Sequence, residues 1–202
     1  MSTLALALAT TIKHDGHGGI ADLLSTPEDT TAWLTEHVLG PTSATDVGRF
    51  LPPIQEEILP NIDKAWRELL RVRRAVRALF ARAVAPGAPS TADADRLMDA
   101  GEALQLVNAA ADLLGTTHLE WVGEPTVRWA YRTEDPVALL IGAVGRSTID
   151  FLTGPDRERL RACPAARCVK YFLQDDPRQL WCSSRCGNRE RVNRHYRKRT
   201  AG

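Results

Sequence analysis

The sequence predicts an α+β fold, with helices gathered around a small sheet and a compact module appended at the C-terminus. Three observations carry that expectation. Apolar residues recur at helical spacing in stretches set apart by Pro and Gly, shorter stretches alternate with a period of two, and all four cysteines fall within residues 163–186. With 202 residues, 44% hydrophobic and 25% charged, the chain has room for one ordinary domain and a small second one. We place an α+β module over 1–155 and the cysteine-bearing module over 156–202.

The net charge of +1 hides a division. Residues 157–202 hold 13 Lys and Arg against 4 Asp and Glu, whereas residues 1–156 hold 13 against 21. A basic tail behind an acidic body predicts two modules with different partners. Docking of one module on the other is the alternative. No run of eighteen apolar residues occurs, so no membrane span is expected. The apolar stretch Leu4–Ala9 lacks the preceding positive charge and the cleavage site of a signal peptide, and a cytoplasmic location is expected.

Taken in order, Leu4, Leu6 and Leu8 alternate with Ala5, Ala7 and Ala9, a period of two that predicts a buried N-terminal strand. Ala and Leu are also good helix formers, which keeps a helix as the competing reading. The stretch His14-Asp15-Gly16-His17-Gly18-Gly19 reads as a loop. His14 and His17 could ligate a metal, but no carboxylate stands at a fixed spacing from them, and a glycine-rich turn is the simpler account. Thr26-Pro27-Glu28-Asp29 opens a helix: Thr as N-cap, Pro at the first position and acids in the first turn. It should end near Leu39, before Gly40-Pro41. Pro52, Pro53 and Pro60 break the chain ahead of a long helix from about Asn61 to Val84. Its core stripe is Trp66, Leu69, Leu70, Val76, Leu79, Phe80 and Ala83. Arg67, Arg71 and Arg74 fall on another face, solvated or ion-paired by default, with a nucleic-acid contact as the alternative.

After Pro86-Gly87-Ala88-Pro89, Ser90 or Thr91 caps a helix whose stripe is Leu97, Gly101, Leu104, Val107, Ala111 and Leu114. Thr117–Val122, a turn at Gly123-Glu124, and Thr126–Tyr131 read as a hairpin, with Trp121 on one face of the first strand and Val127, Trp129 and Tyr131 on one face of the second. Asp135-Pro136 starts the last helix of the module, which buries Ala138, Leu139, Leu140, Ala143, Val144 and Ile149. Four helices should thus surround a sheet made of the N-terminal strand and the hairpin. No nucleophile with a neighbouring base, no phosphate-cradling glycine loop and no H-E-x-x-H pattern stands in this module, and no enzymatic activity is expected.

The cysteines are spaced C-x4-C, thirteen residues, then C-x3-C. Two short-spaced thiol pairs are how a small fold supplies four thiolates to a tetrahedral Zn²⁺, here Cys163, Cys168, Cys182 and Cys186. Val169–Leu173 and Gln179–Trp181 read as two strands around a polar turn, and Cys182 and Cys186 as neighbours on one face of a following helix. Knuckle, hairpin and ligand-bearing helix make a treble-clef-like arrangement. Two disulfides are the alternative, suited to a small secreted domain. A redox switch, from thiols with pKa values lowered by arginines, is compatible with the zinc reading.

On a helix from Ser183 onward, at about 100° per residue, Arg191, Arg194, Lys198 and Gly187 gather on one side, and Val192, Tyr196 and Arg189 lie toward the knuckle. Arg191, Arg194 and Lys198 are expected to contact phosphate, with Arg197 and Arg199 adding charge, and Asn188 could offer its amide to a base edge. Gly187 either admits a close phosphate or packs tightly near the metal. Arg189 either braces the zinc site or reaches a base. Arg167, Lys170, Arg185 and Arg189 are placed to offset the formal −2 of a zinc tetrathiolate.

The string Trp181-Cys182-Ser183-Ser184-Arg185-Cys186-Gly187-Asn188-Arg189, followed by a basic helix, resembles the CGNR zinc finger of bacterial proteins. That finger normally follows an ABATE domain, and Leu23-Leu24-Ser25-Thr26-Pro27-Glu28-Asp29 with Trp33-Leu34 is similar to the early helix of that domain. Where the family tends to open with an L-D-F-x-N-T-like strand, this chain has Leu6-Ala7-Leu8-Ala9-Thr10-Thr11. The resemblance covers nearly the whole chain and implies a stress-induced transcription regulator. Its finger would bind duplex DNA, and its N-terminal domain would receive a small-molecule or protein effector. The competing expectations are a zinc-stabilised RNA- or protein-binding adaptor and, more distantly, a hydrolytic site at His14 and His17. The sequence assigns no oligomeric state.

Overall fold

A 22-residue helix forms the spine of the body because its apolar residues recur every three or four positions. In the computed structural model, which describes residues 3–15, 19–40, 45–52, 55–90 and 97–200, this helix is α4 (Ile62–Ala83). Seven helices share the described chain with it: α1 (Leu4–Ala9), α2 (Pro27–Leu34), α3 (Gln55–Ile58), α5 (Ala100–Leu114), α6 (Pro136–Thr153), α7 (Asp156–Arg159) and α8 (Ser184–Thr200). Three two-stranded antiparallel sheets complete it: β1 (Ile12–His14) with β2 (Ile20–Asp22), β3 (Thr116–Val122) with β4 (Glu124–Ala130), and β5 (Leu160–Ala162) with β6 (Tyr171–Leu173). The α+β class holds. The main core takes in α1, α4 and α6, with Leu69, Val76 and Phe80 of α4 and Leu140, Val144 and Phe151 of α6 in one cluster, where the Phe80 and Phe151 rings stack at 4.9 Å.

The first segment is a helix, not the strand that its alternation suggests. All six residues of α1 are buried, and a helix apolar on every side belongs in a core. Thr3 caps it by accepting from Leu6 N. The N–H of Leu4 goes to Asp46 Oδ1 at 2.7 Å and that of Ala5 to Ser147 Oγ at 3.2 Å, so the donors a helix start leaves over are met by side chains far along the chain. With no N-terminal strand, the expected sheet does not form. The β3–β4 hairpin pairs with no other strand among the described residues, and Leu119, Trp121 and Val127 stand more than two-thirds exposed. It is tied down at its base, where Trp129 Nε1 donates to Arg49 O and Tyr131 OH to Phe50 O.

Further departures have local causes. The stretches on either side of the expected His14–Gly19 loop pair as β1 and β2, from Ile12↔Asp22 to His14↔Ile20, so His14 ends a strand; Gly16, His17 and Gly18 lie outside the described residues. Helix α5 begins at Ala100, capped by Asp99, whose carboxylate accepts from Gly101 N and Glu102 N. Ser90 caps nothing and is buried, and Thr91 lies outside the described residues. The buried stripe of α5 is Ala103, Val107, Ala110 and Leu114, with Leu97 and Leu104 exposed. Its small residues win because α6 crosses close by: a Cβ built on Gly145 would sit 2.5 Å from Ala111 N, and one on Gly142 2.8 Å from Leu114 N.

The local capping signals hold. Thr26 Oγ1 accepts from Asp29 N at 3.1 Å with Pro27 at the helix start, and Asp135 accepts from Val137 N ahead of Pro136. Helix α2 continues through a π-helical turn, Thr35–Leu39, to Gly40; Pro41 lies outside the described residues. Arg67, Arg71 and Arg74 are exposed, and Arg71 pairs with Glu68 at 3.7 Å. Helix α6 is long and apolar enough to cross a membrane, but 61% of it is buried and it is the inner helix of the core.

Candidate metal centre

The C-terminal module grows out of the body rather than hanging from it. Strand β6 pairs with β5, which precedes the first cysteine, in the register Leu160↔Leu173 to Ala162↔Tyr171. Leu160 and Tyr171 are nearly fully buried in the main core. The Tyr171 ring meets Phe80 edge-on at 5.7 Å, and the Arg77 guanidinium lies over it at 5.1 Å. Arg77, 2% exposed, also donates to Ala9 O, Ser90 Oγ and Val169 O, and Ser90 Oγ donates to Val169 O at 2.9 Å. An arginine in the apolar stripe thus fastens the long helix to the root of the module.

Beyond that root the chain folds around sulfur. Cys163 N donates to Lys170 O and Cys168 N to Ala165 O, closing a knuckle in which Arg167 takes the left-handed backbone conformation, φ +64°. Cys182 ends the following loop, two residues ahead of α8, and Cys186 sits in the first turn, where its N–H donates to Ser183 Oγ. The four Sγ atoms lie within 4.8 Å of one another, with Cys168–Cys182 and Cys182–Cys186 each at 3.6 Å. Four Zn–S bonds of about 2.3 Å in a tetrahedron place the sulfurs roughly 3.8 Å apart, whereas a disulfide needs about 2.0 Å. All four cysteines are free, and the spacing fits Zn²⁺.

Proton affinity tells the same story. Crowded thiols cannot all ionise without a counter-charge. Sharing a hydrogen bond with Cys168 pushes the Cys163 thiol up to about 11, and hydrogen bonds from Cys163 and Cys182 hold Cys168 down to about 2. Cys182 is pushed upward by the same neighbours. Zn²⁺ binding must displace the thiol protons that remain, so metal affinity here weakens as pH falls. Bound zinc supplies the cross-link that holds knuckle and helix together.

Residues 159–199 match the CGNR zinc finger, and residues 2–155 match ABATE, described as a putative stress-induced transcription regulator. The chain belongs to the ABATE family. No curated protein matches it.

Within this ABATE protein the finger departs from the expected hairpin. Gln179–Trp181 forms no strand, and β6 pairs with β5; Gln174 and Gln179 side chains tie the intervening loop. Cys182 lies off the helix, so the ligand pair is a loop residue and a helix residue rather than two on one helical face. The inner side of α8 is also turned from the expected one: Val192 and Tyr196 are 55% and 68% exposed. The knuckle is met by Glu190, whose carboxylate accepts from Ala166 N at 2.7 Å and from Asn193 Nδ2. Glu190 escaped sequence reasoning, although it is the single acid in a run of basic residues.

Gly187 packs inward: a Cβ there would meet the Trp181 ring at 3.3 Å. Arg189 Nη2 lies 3.5 Å from Cys186 Sγ, on the metal-centre side of the helix. Arg185, Asn188, Arg191, Arg194, Arg197 and Arg199 are exposed, and the Lys198 side chain lies outside the described residues.

Proposed function

We propose that this ABATE protein is a transcriptional regulator that binds duplex DNA through its zinc finger, with residues 156–202 as the DNA module and residues 1–155 as a cytoplasmic, non-enzymatic sensor for an effector. One observation carries the reading. Helix α8 is fixed at its N-terminal end by the metal centre and presents Arg191, Arg194, Arg197 and Arg199 to solvent beyond it. A rigid basic helix on a weakly acidic body is the electrostatic footprint of phosphate recognition. Asn188, exposed on the same helix, is the candidate for a base edge.

The test is titration of the full zinc-loaded chain with a random duplex pool across salt concentrations, followed by Arg191→Ala and Arg194→Ala. Each should lower the salt slope by about 0.9 and weaken all duplexes alike, whereas Asn188→Ala should relax preference at one base position. Slopes unchanged in both arginine variants would remove α8 from the interface. Preference for single-stranded RNA over duplex in competition would favour the adaptor reading, because A-form RNA hides its major groove.

A further inference from the structure

A cleft of about 790 Å³ lies between the β1–β2 hairpin of the body and the metal centre. We propose that it binds a small anion of the phosphate-ester or diphosphate class, which bridges the two modules. The site gives the sensor role proposed above its ligand class, and rests on that role only for its consequence to DNA binding. Its volume is that of an ordinary small-molecule site. Lys13 enters from the hairpin, and Lys170, Arg185 and Arg189 from the finger.

Among the described residues, the side-chain cations of Lys13, Lys170 and Arg185 have no hydrogen-bond or ion-pair partner. Some cations elsewhere find partners, as Arg73 does in Asp22 and Arg159 in Asp156 and Asp175, and others among the described residues, such as Arg67 and Arg74, stand singly at the surface; those of the cleft converge on one space. In the cleft only Arg189 is engaged, with Cys186 Sγ. The lone acid of the lining, Asp15, accepts from Gly19 N.

The charge balance favours an added anion. Two cations offset the formal −2 of a zinc tetrathiolate and a third offsets Asp15, which leaves one positive charge, so the N–H donors of these side chains, more than net charge, would hold the anion. The first turn of α8 borders the cleft through Ser183 and Arg185, adding the positive end of a 17-residue helix to the same wall. No Phe, Tyr or Trp among the described residues lines the space, where His14 brings a ring, and the four converging cations suit a compact anion better than a nucleoside. At about 100° per residue, Arg185 and Arg189 lie on the side of α8 roughly opposite Arg191 and Arg194. A duplex held by the latter pair leaves the cleft free.

Calorimetric titration of the full zinc-loaded chain with inorganic pyrophosphate tests the site without DNA, so its result stands apart from that of the DNA reading. Saturable one-to-one binding is expected. Lys13→Gln and Arg185→Gln should each weaken it about tenfold or more, as loss of a charge-assisted hydrogen bond does, with zinc content and melting unchanged in Lys13→Gln. Arg191→Gln should leave it as it was. Absence of binding at millimolar pyrophosphate, indifference to Lys13→Gln, or equal weakening by Arg191→Gln would overturn the proposal. So would stoichiometric displacement of the anion by a duplex, since the cleft would then be part of the DNA path.

Discussion

The body and the finger keep their shapes by different means. The body buries long apolar side chains from α1, α4 and α6 against one another, including Leu69, Phe80, Leu140 and Phe151. The finger's own cluster is Cys163, Ala165, Cys168, Phe172 and Cys186, in which three of five members are metal ligands. Apolar burial at about 25 cal/mol per Å² sustains the first and falls short for the second. The difference also runs through the finger. Its root, β5 and β6, belongs to the body's core through Leu160 and Tyr171, while its tip, the knuckle and α8, rests on the metal. The line between hydrophobic and metal-dependent folding therefore falls near Val169, inside the stretch that matches the CGNR finger.

The sharpest way to break this division is to remove the metal. Chelation, or Cys186→Ser, should abolish amide protection along α8 and leave α4 and α6 protected, since apparent zinc binding in small fingers is worth about 10–16 kcal/mol. Protection of α8 persisting in zinc-free protein would show that burial alone holds the tip. Next in size is the root. Tyr171→Ala should cost about 3–5 kcal/mol in the urea unfolding of the body while retaining one zinc per chain. A loss confined to zinc retention would move Tyr171 to the other side of the line.

A smaller effect separates acid sensitivity of the body from that of the tip. Burial raises the Asp22 pKa, but hydrogen bonds from Arg73 and Leu24 N, with the charges of Arg73 and Arg77, bring it below its ordinary value. A lowered carboxyl pKa contributes stability that is full above the unfolded value of about 3.9 and is lost as pH falls through the folded one. Asp22→Asn should therefore flatten the body's stability below about pH 4 and leave the acid release of zinc unchanged. An unaltered stability profile in this variant would remove the Asp22–Arg73 pair from the account.

What was legible in the sequence was what is decided locally. Ligand spacing announces the metal because four thiolates must meet at one point, and Thr26-Pro27 and Asp135-Pro136 mark helix starts because the capping bonds span two or three residues. The nature of α1 was hidden because Leu-Ala alternation suits strand and helix alike. It was settled by Asp46 and Ser147, 42 and 142 residues away from their partners. Arg73 and Arg77 were invisible as core residues because an arginine between apolar neighbours reads as a solvated face. The acceptors that bury Arg77 include the carbonyls of Ala9 and Val169, which no side-chain pattern marks. The pairing of β6 was missed for a similar reason: Leu160–Ala162 precedes the cysteines and carries no turn signal of its own.

Gly187 sets helix propensity and metal geometry against each other. Alanine at that position would favour the helix by about 1 kcal/mol. Yet its methyl would meet Trp181 at 3.3 Å, and the indole, next in sequence to Cys182, would have to retreat by a few tenths of an ångström. That is at least the margin of about 0.2 Å within which metal–ligand distances are held. Gly187→Ala should thus raise the helix content of an isolated α8 peptide while hastening zinc loss from the whole protein. The clearance between one glycine and one indole works as a tolerance on the metal site, with room for a hydrogen atom and for a methyl group only where the indole gives way.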